Sequence, residues 1–177
     1  TYGFVHDLSS ISHLLFNMIG LYVFGRDVEL RLGRNEFLRF YLVAVVVGGI
    51  IGALTHLLMG SLGGTIGASG AVIATAILFA CFFPNRELLL MLVLPVKAWV
   101  LAVIFVVADL AGAFGVLWQV ESMSNTAFTV HLAGAFFALG YYFLGWNLRR
   151  LDFGSWFSSV QRMGQRSRRM RLKIHDP

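Results

Sequence analysis

Apolar residues run almost unbroken through five stretches of this chain: roughly Leu8 to Phe24, Phe37 to Met59, Ile66 to Phe83, Ala98 to Leu117 and Phe128 to Leu148. A helix of about 20 such residues crosses a hydrocarbon core of about 30 Å. The pattern therefore predicts an all-α membrane protein, a polytopic helical bundle with five spans, the first and third of them short. Inside the runs, small residues recur four apart at Gly48 and Gly52, Gly70 and Ala74, Gly134 and Ala138. Such pairs let helices approach closely in lipid, which predicts a compact bundle over residues 1–148. Residues 149–177 form a basic tail.

Composition agrees, since the chain is 58% hydrophobic and 13% charged, against roughly 25% charged for ordinary soluble domains. The single cysteine, Cys81, falls inside the third run and reads as packing. The fourteen Lys and Arg residues collect between spans one and two, between spans three and four, and after span five. All lie on one side, which the positive-inside rule makes cytoplasmic, with the loops "GSLGGT" and "WQVESMSNTA" outside. The basic balance is thereby explained without nucleic acid. The Arg-rich tail, with Trp156 and Phe157 interleaved, reads either as a segment lying on anionic lipid or as solvated chain. An outside N-terminus without a signal peptide is expected to follow a further upstream span, making six in all.

Orientation gathers the polar residues. Spans one, three and five run from outside to inside, so their first turns lie at similar depth. Span one brings His13 and Asn17 on one helical face, span three opens with Ser69, and span five carries His131. Taken singly, Ser69 reads as a packing serine, His131 as an interface histidine, and His13 with Asn17 as a pair capping a helix entry. His56 reads as structural, and His6 and His175 as exposed loop or tail residues. Together the four suit nucleophilic chemistry. A serine hydroxyl attacks a carbonyl when a positioned base takes its proton, and His131 stands at the right depth. Asn17, His13 and the backbone N–H of Ser69 are candidate donors to the oxyanion. No acidic residue occupies these first turns, so a Ser-His dyad is expected, with Asp109 read as structural. There is no His-Glu-x-x-His for zinc, one intramembrane carboxylate cannot make an aspartyl dyad, and neither metal nor cofactor is expected. A transporter would call for several ionisable groups near the midplane.

The segments "HLLFNM", "GASGAV" and "VHLAGAFFALG", in this order, with "RDVELRLG" after the first span, resemble the rhomboid family of intramembrane serine proteases. The resemblance covers about residues 1 to 148. It implies a six-helix bundle with Ser69 as nucleophile, His131 as general base, and His13 and Asn17 on the oxyanion side. Gly67, Gly70 and Gly134 would shape the site. The implied partners are single-pass transmembrane substrates in a lipid bilayer, cut near the outer face, with no nucleic acid. A bacterial inner membrane is the expected location, with the C-terminus cytoplasmic. Three features depart from the family pattern: about two extra residues between His6 and His13, Ile73 where many bacterial members have Tyr, and Ala138 in place of a glycine. From Ser69 to Phe83 the third helix is about 22 Å long at 1.5 Å per residue. The loop Gly60 to Gly67 must then dip into the membrane beside a water cavity, with span four, capped by the Leu117 to Thr129 loop, as the gate. An inactive rhomboid-like protein that binds membrane clients is the alternative. A channel or transporter is a more distant one.

Overall fold

The computed structural model describes residues 11–59, 68–90, 94–113 and 125–148. Two compact units divide the chain, Thr1–Asn147 and Leu148–Pro177; the second lies outside the described residues except for Leu148. The expected basic tail falls there. The described elements are α1 (Ile11–Leu32), α2 (Arg34–Met59), α3 (Ser69–Phe82), β1 (Glu87–Leu90), β2 (Leu94–Lys97), α4 (Ala98–Ala113) and α5 (Asn125–Phe143).

Two boundaries differ from the apolar pattern. Helix α1 continues past Phe24 through Arg26, Asp27, Glu29 and Arg31, because backbone hydrogen bonding and not hydropathy ends a helix. Gly33 does so. Its φ of +86° suits a residue without Cβ, its N–H donates to Glu29 O at 2.7 Å, and its carbonyl accepts from Phe37 N at 3.0 Å. One residue thus closes α1 and opens α2. Two of the charges carried into α1 find partners: Asp27 pairs with Arg86 at 3.3 Å, and the Arg31 guanidinium lies 5.8 Å from the centroid of Phe82. The second difference is an antiparallel β-hairpin between α3 and α4, pairing Glu87 with Lys97 and Leu89 with Pro95. The sequence pattern predicts no strand there.

Helix directions follow from who touches whom. Gly20 of α1 lies against Val72 of α3 and Phe24 against Phe79, so the two are parallel. Helix α5 runs the same way, with Val130 against Gly70 and Tyr142 against Phe82. It is antiparallel to α2, through Thr129 with Thr55 and Tyr141 with Glu36. It is antiparallel to α4 as well, through Phe128 with Gly112 and His131 with Asp109. Helices α1, α3 and α5 therefore begin at one end of the bundle, and the hairpin sits at the other.

Helix α3 packs against all four other helices. Ten of its fourteen residues are buried, as expected of a helix that is apolar all round. Its one hydroxyl in mid-run, Thr75, is satisfied internally by donating to Ala71 O at 2.8 Å. The outer helices instead expose large apolar side chains, among them Phe16, Tyr22, Ile50, Leu57, Val107 and Phe136. By length and composition Arg34–Leu58 can cross a membrane; Ser69–Phe82, Ala98–Gly112 and Ala127–Phe143 are shorter apolar helices. Apolar surface this extensive has lipid as its natural solvent.

Candidate active site

Ser69 is the first residue of α3. The preceding Ala68 offers no side-chain cap, and its carbonyl accepts from both Ala71 N and Val72 N at 3.0 Å. The first N–H groups of such a helix have no intrahelical acceptor, and they carry the positive end of its dipole.

Close backbone packing brings α5 to this turn. A Cβ on Gly134 would collide with Gly70 O, and one on Gly70 would stand 2.7 Å from Val130 Cγ1 and 3.0 Å from Val130 O. Ala74 and Ala138 are fully buried along the same seam. With glycine at the two points of closest approach, His131 Nε2 comes to 2.9 Å from Ser69 Oγ. The other ring nitrogen, Nδ1, is 3.0 Å from Asp109 Oδ1. A carboxylate oxygen only accepts, so Nδ1 carries the proton and Nε2 turns its lone pair to the serine hydroxyl. His131 and Asp109 are each 8% exposed. Asp109 in turn is set by α4, whose Gly112, one turn on, lies flat against the Phe128 ring one turn before His131.

The sequence reading sets Asp109 apart from the site, and the structure brings it in as the third member of a hydrogen-bonded chain Ser69–His131–Asp109. First turns share a level only among helices running one way. Helix α4 runs the other way, so its late residues arrive at the same level. Asp109 is eleven residues from the start of α4 and Ser69 thirteen from the end of α3, about 17 and 20 Å from the hairpin end at 1.5 Å per residue. Height along the helix allows the meeting; the rotation of α4 toward His131 makes it.

Asn17 lies on α1 one turn before Gly20, as Ser69 lies one turn before Val72, so the parallel helices set both at one level. The Asn17 side chain is 8% exposed, and its Nδ2 has no hydrogen-bond partner among the described residues. Leaving a buried amide donor unmatched costs about 1–3 kcal/mol, which marks this group as held for something else. His13 falls within α1, but its side chain lies outside the described residues, as do Gly67, His6, His175 and the loops expected to form the cavity and its cap. His56 sits in the last turns of α2 beside Thr55, which donates to Ile51 O at 2.8 Å and meets Thr129 at 3.2 Å. Among the described residues no group of three His, Cys, Asp or Glu stands at metal-binding distances.

The Rhomboid domain family model matches residues 1–148, and the chain belongs to the rhomboid family. It is accordingly an integral membrane protein built as a helical bundle. It is similar to RHOMBOID-like protein 12, mitochondrial, of Arabidopsis thaliana, at 30% identity over 139 residues, covering 71% of this chain and 40% of that protein. It is also similar to Rhomboid protein 1, mitochondrial, of Saccharomyces cerevisiae, at 27% identity over 141 residues, covering 78% of this chain and 38% of that protein. Presenilin-associated rhomboid-like protein A, mitochondrial, of Danio rerio is 28% identical over 134 residues, covering 75% of this chain and 33% of that protein. No solved structure matches. The chain spans well under half the length of each relative. Their names are all mitochondrial, which departs from the expected bacterial inner membrane.

Proposed function

We propose that this chain is an intramembrane serine endopeptidase, cutting the helices of single-pass membrane proteins near the face opposite its basic loops. The observation that carries the reading is the chain of contacts from Ser69 Oγ to His131 Nε2 at 2.9 Å and from His131 Nδ1 to Asp109 Oδ1 at 3.0 Å. Ser69 Oγ attacks the carbonyl carbon of the scissile bond as His131 Nε2 takes its proton. Asp109 holds the imidazole in the tautomer that can do so and stabilises the imidazolium that results. The oxyanion of the tetrahedral intermediate accepts from Asn17 Nδ2, from the backbone N–H of Ser69 and from His13. His131 then protonates the departing amine, and water repeats the sequence to free the acyl group. No cofactor enters.

Water and substrate must both reach Ser69. The fourteen residues of α3 span about 21 Å at 1.5 Å per residue, short of a core of about 30 Å. This supports a site recessed below the surface and reached from that face by water. By the positive-inside rule the basic side and the C-terminus face the inner compartment, and the site opens away from it.

The test is labelling of the detergent-solubilised protein by a fluorophosphonate, beside cleavage of a model transmembrane substrate. Wild type is expected to label and to cut; Ser69→Ala and His131→Ala are expected to do neither while remaining folded. A wild-type protein that neither labels nor cuts overturns the protease reading and leaves the client-binding one.

A further inference from the structure

We propose that the β1–β2 hairpin is a membrane-interface element, lying in the headgroup region of the leaflet at its end of the bundle with its leucines against lipid. The hairpin grows directly from two spans. Helix α3 ends at Phe82, α4 begins at Ala98, and the stems are tied by Ala98 N to Arg86 O at 2.8 Å and Trp99 N to Pro84 O at 3.2 Å. The four-residue turn 83–86 on the α3 side is held by these bonds, and on the other side Lys97 runs straight into α4.

Its side chains do not suit water. A hairpin with one wet face alternates polar and apolar residues, and this one does so only at its root, where Glu87 faces Lys97. Beyond that rung the chain reads Leu88 to Val96 without a charge. The register puts Leu88 and Val96 on one face with Leu94, and Leu89 with Pro95 on the other, so both faces are apolar. Leu89 is 63% and Leu94 59% exposed. These positions continue the exposed apolar strip of α4, where Trp99, Val103 and Val107 each show about half their surface. Beside that strip, a cavity of about 310 Å³ lined by Cys81, Trp99, Ala102 and Val106 opens between α3 and α4. Trp99 stands where aromatic residues gather at membrane surfaces.

Depth is limited by the backbone. A two-stranded hairpin has two unpaired edges, and hydrocarbon supplies no partner for their N–H and C=O groups. The element therefore belongs at the boundary between headgroups and acyl chains. Arg86, paired with Asp27, and Lys97 mark its polar margin.

The proposal is tested in nanodiscs of phosphatidylcholine and phosphatidylglycerol, in a Cys81→Ala background, with an environment-sensitive fluorophore on Leu89→Cys or Leu94→Cys. Both labels should emit to the blue of the free dye, resist aqueous iodide, and lose most of their fluorescence to lipids carrying a nitroxide beside the glycerol. A nitroxide near the terminal methyl should quench them far less. A label on Val103→Cys, in mid-span, should show the opposite depth preference. Labels at Leu89 and Leu94 that yield to iodide overturn the proposal, as do labels that no lipid nitroxide quenches. Quenching strongest from the terminal methyl, as at Val103, overturns the interfacial depth.

Discussion

The same two helices, α3 and α5, are joined by opposite means at their two ends. At the Ser69 end the seam is made of Gly70, Ala74 and Gly134, and the backbones themselves touch. At the hairpin end rings take over, once between α3 and α5 and twice between α2 and α5. Phe82 meets Tyr142 edge-on at 5.5 Å, and Phe40 of α2 stacks on Phe137 at 5.2 Å and meets Tyr141 at 5.0 Å. Polar groups divide likewise. The hairpin end holds ion pairs and the buried bond from Tyr141 Oη–H to Glu36 Oε1 at 2.9 Å; the other end holds the Ser69, His131 and Asp109 chain. The difference teaches that aromatic area holds the bundle together, while the absence of side chains sets the distance on which chemistry depends.

Three substitutions sharpen that division. The largest effect is expected from Asp109→Asn, which keeps the shape but can offer His131 Nδ1 an NH₂ group and so favour the wrong tautomer. Cleavage is expected to fall about 10⁴-fold, the scale for such a change in a serine triad. Thermal unfolding in detergent should stay near wild type. If turnover falls less than about tenfold, a dyad suffices and Asp109 is structural after all.

Gly134→Ala comes next. Its methyl would meet Gly70 O, a backbone atom that cannot rotate away, so α5 must move from α3. A displacement of about 1 Å at reacting atoms costs about 10²-fold, and kcat should carry the loss. Equal loss at Ala138→Gly, one turn further, would deny the seam its special role. The smallest effect on chemistry belongs to Tyr141→Phe. Losing a hydrogen bond to a charged group costs about 1.5–3 kcal/mol of stability, read as a lower unfolding midpoint. Turnover per folded molecule should remain within about twofold, on the view that independent, distant sites add. A large loss of turnover without loss of stability would show the two ends to be coupled.

Much of the fold can be read in the sequence because hydropathy reports burial in lipid directly. The five helices among the described residues lie under the apolar runs, and Ser69 stands at the head of the third as expected. The discrepancies have physical causes. Charged residues continued α1 to Leu32 because Gly33, and not the end of the apolar run, supplies the stop. The hairpin is not legible because Leu88 to Val96 is uniformly apolar, and a short apolar run without alternation carries no period to separate strand from helix or loop. Asp109 was legible as a rare intramembrane carboxylate in the outer half of its span, but the rotation of α4 that turns it toward His131 is not written in spacing along the chain. The meeting of Ser69 with His131 rests on contacts 62 residues apart, which spacing along the chain cannot specify.

The burial of α3 on every side sets how the bilayer can reach the site. Hydrophobic mismatch acts by tilting or straining helices whose flanks touch lipid, and α1, α2, α4 and α5 present such flanks. Helix α3 presents almost none. Thinning or thickening the membrane therefore bears first on the collar, and reaches the buried length of the central helix through its protein contacts.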